Sequence, residues 1–130
     1  MIQLIKYIDE IAVGSGVDVM YITFSKRQFK GEPEQWEVRS DIMEWCQKEC
    51  ISLYRCAGIS WQDGINSYQG QLHVDMPFNL QDKRFKAVNG YLENPDGSPH
   101  FAGVTFRLLT LDKAKKSFKK YKEQEEYWLG

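Results

Sequence analysis

Histidine occurs only twice in 130 residues, cysteine three times and proline four times, and each scarcity removes a class of explanation. With His73 and His100 alone, acid–base schemes built on paired imidazoles have few members to draw on. Cys46, Cys50 and Cys56 are an odd set crowded into eleven residues, which is not the framework of a disulfide-stapled domain. They have neither Cys-x-x-Cys spacing nor a neighbouring histidine, so no zinc knuckle is read from them. Their expected role is core packing as small apolar groups, with no metal and no cofactor. Long apolar runs are missing too, and Lys6, Asp9 and Glu10 interrupt the stretch where a signal peptide would need an unbroken apolar core. A cytoplasmic protein in a reducing compartment is the expectation. Charge of one sign is also lacking: 18 acidic residues against 17 basic ones leave a formal charge of -1, which implies no bulk electrostatic partner. No nucleophile elbow, phosphate-cradling loop, dinucleotide fingerprint or internal repeat is present.

What is present is a hydrophobic share of 42% and enough chain for one domain with its own core over residues 1–130. Ile2, Ile5, Ile8 and Ala12 recur at helical spacing before Gly14, which places a first helix over residues 2–13. Residues 17–25 are β-branched and aromatic and nearly apolar throughout, as a central strand covered on both faces would be. Pro33 suits the first turn of a second helix, or Asp41 with Glu44 caps one that starts later; the stripe Val38, Ile42, Cys46, Leu53 and Ala57 carries it to Gly58. Short strands follow at 59–61 and 71–76, the latter with Leu72, Val74 and Met76 on one face and Gln71, His73 and Asp75 on the other. Helical spacing then predicts a helix over 79–92, a turn at 94–97, a strand over 103–109, and a final helix from 111 or 112 to 127. The order is β-α-β-β-α-β with an extra helix at each end. That order resembles a ferredoxin-like α+β sandwich, a superfold that hosts unrelated activities.

Function must therefore be sought in particular residues. His73 and Asp75 alternate on one strand and stand about 7 Å apart by strand rise, too far for a direct hydrogen bond. With the loop residue His100 they are the candidate catalytic groups of a hydrolase acting on phosphate-containing substrates. Asp75, Asp82 and Glu93 would bind magnesium only if the fold brought them together. Residues 102–107 resemble the glycine-containing phosphate-binding stretch of acylphosphatases over those six positions alone. Arg107 falls inside a strand instead of a loop before a helix, so the likeness assigns no family. An RNA-recognition surface would carry exposed aromatics on its central strands, and residues 71–76 have none. The final helix crowds Lys113, Lys115, Lys116, Lys119, Lys120 and Lys122 into its first half, against the helix dipole. Lys115, Lys116, Lys119, Lys120 and the terminal Trp128 are the candidate binding residues, for a protein partner or for nucleic acid. The expected function is that of a small intracellular binding or regulatory protein acting through protein contacts.

Overall fold

The computed structural model describes residues 5–61 and 67–129, with side chains followed to residue 125 in the last helix. Along the chain come α1 (Ile8–Ser15), β1 (Val19–Phe24), a 3-10 turn (Pro33–Gln35), α2 (Glu37–Lys48), β2 (Ser52–Arg55), β3 (Leu72–Asp75), α3 (Lys83–Leu92), β4 (Val104–Leu109) and α4 (Leu111–Leu129). The fold is α+β, with four helices around a four-stranded antiparallel sheet ordered β2-β3-β1-β4. The most apolar strand sits inside the sheet, since β1 pairs with β3 on one side and with β4 on the other.

Alternation along the strands separates two cores. Met20, Ile22, Phe24, Leu72, Val74 and Val104 face Ile42 and Cys46 of α2 and Val88 and Leu92 of α3, and Trp45 of α2 stacks on Tyr91 of α3 with centroids 4.1 Å apart. On the opposite face Val19, Tyr21 and Leu109 meet Ile8 and Ala12 of α1 and Ala114 of α4, with Cys56 beside them. Both layers are needed because β1 is apolar on both sides. No helix among the described residues is long and apolar enough to cross a membrane.

The structure corrects several sequence expectations. α1 starts at Ile8, not at residue 2; Tyr7 instead makes a parallel bridge to Ala57, and residues 2–4 lie outside the described residues. The helix expected to reach Gly58 stops at Lys48, and the stretch that holds Leu53 is a strand. No strand forms at 59–61, and most of the loop expected after it, residues 62–66, lies outside the described residues. α3 begins at Lys83, capped by the Asp82 carboxylate, which accepts from the Arg84 N–H.

α2 ends by a device usually reserved for glycine. Cys50 holds φ at 59°, its N–H donates to the Gln47 carbonyl at 3.1 Å, and the Ile51 N–H donates to the Cys46 carbonyl at 2.8 Å. Ile51 and Cys46 then meet in the first core, completing a left-handed cap with its hydrophobic contact. A side chain in this conformation costs about 1–2 kcal/mol, partly offset by the entropy that glycine loses on folding. Cys50→Gly is therefore expected to raise stability by about 0.5–1 kcal/mol, read as a higher denaturant midpoint at unchanged slope. A lower midpoint would show that the Cys50 side chain makes contacts that outweigh the strain.

Candidate functional site

The second face of the sheet is only partly roofed, because α1 and α4 cover β1 and β4 and leave β3 and β2 open. A single row of side chains crosses it: Tyr54 lies opposite His73, His73 opposite Tyr21, and Tyr21 opposite Arg107. Tyr21 is buried under the helices, and that burial raises its pKa, with Arg107 pulling it back. Where the roof ends, a cleft of about 660 Å³ is lined by Ile11, Ser15, Tyr54, His73, Asp75 and Arg84 among others. His73 and Asp75 thus share one hollow. His73 is half-buried, which sets it apart from the exposed group expected on a polar strand face, and Asp75 is exposed. Burial holds His73 below the ordinary histidine value of 6.5, with Asp75 opposing the shift.

His100 does not join them. Its Nδ1 lies 3.1 Å from Asn94 Oδ1 and its N–H donates to the Leu92 carbonyl, in the connection that leads to Val104 opposite Phe24. Asp75 is at the other end of the sheet, beyond Val74 and its partner Met20. Asp82 and Glu93 lie at opposite ends of α3, so they do not converge with Asp75, and no group of three metal-ligating side chains occurs among the described residues. The cysteines also diverge: Cys46 is in the first core, Cys56 in the second, and Cys50 is exposed beyond the helix. Burial pushes the Cys46 thiol up to about 11, with Glu49 adding to the shift, and the Cys56 thiol up to about 12, so neither is a ready thiolate.

Because the native pKa of His73 is depressed, the native state resists a proton that the unfolded chain accepts. Stability is then lost as pH falls from about 6.5 through the lowered native value. We expect the wild type to lose more stability between pH 7 and pH 5 than His73→Gln does. Parallel pH profiles of the two proteins would contradict that.

Sequence reasoning missed a second hollow, between α2 and the outer edge of β2. Two adjoining cavities of about 730 and 340 Å³ share Met43, Leu53 and Tyr54, so they form one groove along that edge. The register fixes which backbone groups face it. The Cys56 N–H donates to the Gln71 carbonyl, so in the alternating antiparallel pattern Tyr54 and Ser52 also turn inward to β3. Leu53 and Arg55 turn their N–H and C=O outward. At one end of the groove Arg39 is only 3% exposed; its Nε donates to the Gly70 carbonyl at 2.9 Å and its Nη2 to the Tyr68 hydroxyl at 2.8 Å. Tyr68 donates onward to Glu34 Oε1 at 3.0 Å. Glu34 lies 4.0 Å from Arg55 Nη1. Its pKa is lowered first by a backbone N–H within its own residue, then by Tyr68, with weaker help from Arg39 and Arg55. Gly70 is required here: its φ is 90° and a Cβ would stand 2.7 Å from the Trp36 ring.

A third cluster ties the second layer together. Asp9 is fully buried and accepts from the Ser60 N–H at 3.1 Å, the Ser60 hydroxyl at 2.5 Å and the Ser117 hydroxyl at 2.6 Å. It has no imidazole partner among the described residues, and its geometry is that of a clasp between α1, α4 and the chain after β2.

On α4, Ala114, Ser117, Phe118 and Tyr121 face inward, while Lys113, Lys115, Lys116, Lys119, Lys120 and Lys122 are all exposed. Lys122 pairs with Glu125 at 3.7 Å, and helical spacing puts Asp112 and Glu123 between the two rows of lysines, diluting the positive face. The Trp128 side chain lies outside the described residues. Comparison with protein-family models, with curated proteins and with solved structures finds no match to this chain.

Proposed function

We propose that the chain is a binding protein working through protein contacts, and that it receives an extended segment of its partner at the outer edge of β2 along Leu53 and Arg55, before the rung at Ala57 that the chain's own Lys6 and Ile8 occupy. The observation carrying this reading is that Leu53 and Arg55 present their backbone hydrogen-bonding groups outward into a groove already walled by α2. An open edge of this kind is a template for strand addition, in which main-chain bonds supply affinity and side-chain hollows supply selectivity. Beside the other edge, β4, lies a hollow of about 120 Å³. Exposed Met43 supplies apolar contact on the groove wall, in keeping with the Met enrichment of interfaces. The order β2-β3-β1-β4, with consecutive strands interleaved by α2 and α3, supports a split β-α-β, ferredoxin-like arrangement as the frame.

Amide hydrogen exchange tests the edge directly. Leu53 and Arg55 are expected to exchange faster than Tyr54 and Cys56 in the isolated protein. Equal protection at all four positions would show the edge to be covered and would remove this reading. Arg55→Pro, which deletes one outward N–H and is tolerated at an edge, should keep cooperative folding while abolishing partner binding.

A second reading is favoured by the cleft itself, which brings His73, Asp75, Tyr54 and Arg84 to one hollow. There a largely neutral His73 would serve as a general base toward a phosphate-containing substrate held by Arg84. Hydrolysis lost in both His73→Gln and Asp75→Asn without loss of stability would establish it.

A further inference from the structure

We infer that the segment taken up at the β2 edge is acidic, with a carboxylate side chain two residues before an apolar one, laid antiparallel to β2. This rests on the edge-binding reading above and adds the chemistry of the occupant. Every strand pair in the sheet is antiparallel, so an antiparallel addition continues the existing ladder. Residues of the added strand opposite Arg55 and Leu53 exchange backbone bonds with them. Their side chains fall on the same face as those of Arg55 and Leu53, toward α2.

The two positions differ in chemistry. Opposite Leu53 the wall is Met43 and Leu53, with Met43 38% exposed, which suits an aliphatic side chain. Opposite Arg55 the cavity is lined by Arg39, Arg55 and Glu34, two guanidinium groups and one carboxylate. Arg39 is buried, yet among the described residues no carboxylate lies within ion-pair distance of it: its partners are the Gly70 carbonyl and the Tyr68 hydroxyl. Glu34 reaches it only through Tyr68. A buried guanidinium is normally paired, and one more carboxylate in this cavity balances the two arginines. The antiparallel direction places the acidic residue, opposite Arg55, two positions before the apolar one, opposite Leu53. Ile5 lines the same end of the groove and the Lys6 carbonyl takes the Ala57 N–H, so the added strand spans Leu53 and Arg55 and leaves the sheet before Ala57.

Capped octapeptides with glutamate two residues before leucine, with glutamine in place of that glutamate, or with the order of glutamate and leucine reversed, test the inference by titration against the full chain. The glutamate-first peptide is expected to bind roughly tenfold more tightly than the other two, the factor a charge-assisted contact supplies over a neutral one. Arg55→Gln should narrow the gap between the glutamate and glutamine peptides, and Arg55→Pro should abolish binding of all three while leaving the thermal midpoint close to wild type. Equal binding of the glutamate and glutamine peptides that is still lost in Arg55→Pro would overturn the acidic specificity and keep the edge reading. Binding that survives Arg55→Pro would overturn both. A gap unchanged in Arg55→Gln would place the charge recognition elsewhere and overturn the inference.

Discussion

Ending the chain after Leu111 is expected to abolish cooperative unfolding of the whole domain, with a loss of roughly 5 kcal/mol or more, enough to consume most of an ordinary domain's stability. The helix removed is part of the second core. Ala114 is fully buried against Ile8, Ala12 and Leu109, Tyr121 meets Tyr7 with ring centroids 5.2 Å apart, and Ser117 donates to Asp9. Without α4, the apolar side of α1 and the second faces of Val19 and Tyr21 are left in water, and the buried Asp9 carboxylate loses a donor. Thermal or urea unfolding followed by tryptophan fluorescence reads the outcome. A sharp transition at near wild-type midpoint would mean that α4 is an appendage, and the exposed lysines would then regain their place as the leading contact surface. Reversing Lys115, Lys116, Lys119 and Lys120 gives the complementary control: these side chains are solvated, so stability should stay within about 1 kcal/mol.

Local pattern made most of the fold legible, and its failures have physical causes. β1, β3, α3, β4 and α4 follow from alternation or from helical spacing, because each is bounded by residues that stop it. Helical spacing carries α2 too far because Leu53 and Ala57 continue the spacing of Val38, Ile42 and Cys46. The residue that terminates the helix is a cysteine in the left-handed conformation, where glycine would have announced the stop. The three residues of β2 after Ser52 then read as helix, although Tyr54 is a good strand former. With β2 hidden, the edge, its outward backbone groups and the groove beside it could not be seen.

The site depends on still less local facts. That His73 is half-buried, while its neighbour two positions on is exposed, follows from where α1 ends over the sheet, which no strand periodicity encodes. Arg39 lies on α2 among polar residues and reads as a solvated charge until the Gly70 carbonyl and the Tyr68 hydroxyl close on it from thirty residues away. Asp9 did leave a signal. It sits at helical spacing between Ile5 and Ala12, inside the apolar stripe of the first helix, where a carboxylate must either break the stripe or be satisfied by buried donors.

That carboxylate is the most consequential single side chain in the second layer. Asp9→Ala removes the acceptor of the Ser60 N–H, the Ser60 hydroxyl and the Ser117 hydroxyl together, at a position with no solvent exposure. Hydrogen bonds to a carboxylate are each worth about 1.5–3 kcal/mol. Partial rearrangement lowers the sum, since the Ser117 hydroxyl also reaches the Ala114 carbonyl at 3.1 Å. The expected loss is therefore about 3–5 kcal/mol, against about 1 kcal/mol for Ser117→Ala, which deletes a single donor. The double variant should be less destabilised than the two single losses added, because each contains the same broken contact. Urea midpoints for the four proteins measure that coupling. A loss under about 1 kcal/mol in Asp9→Ala would mean that apolar contacts alone hold α1 against α4, and that the buried carboxylate is dispensable to the fold.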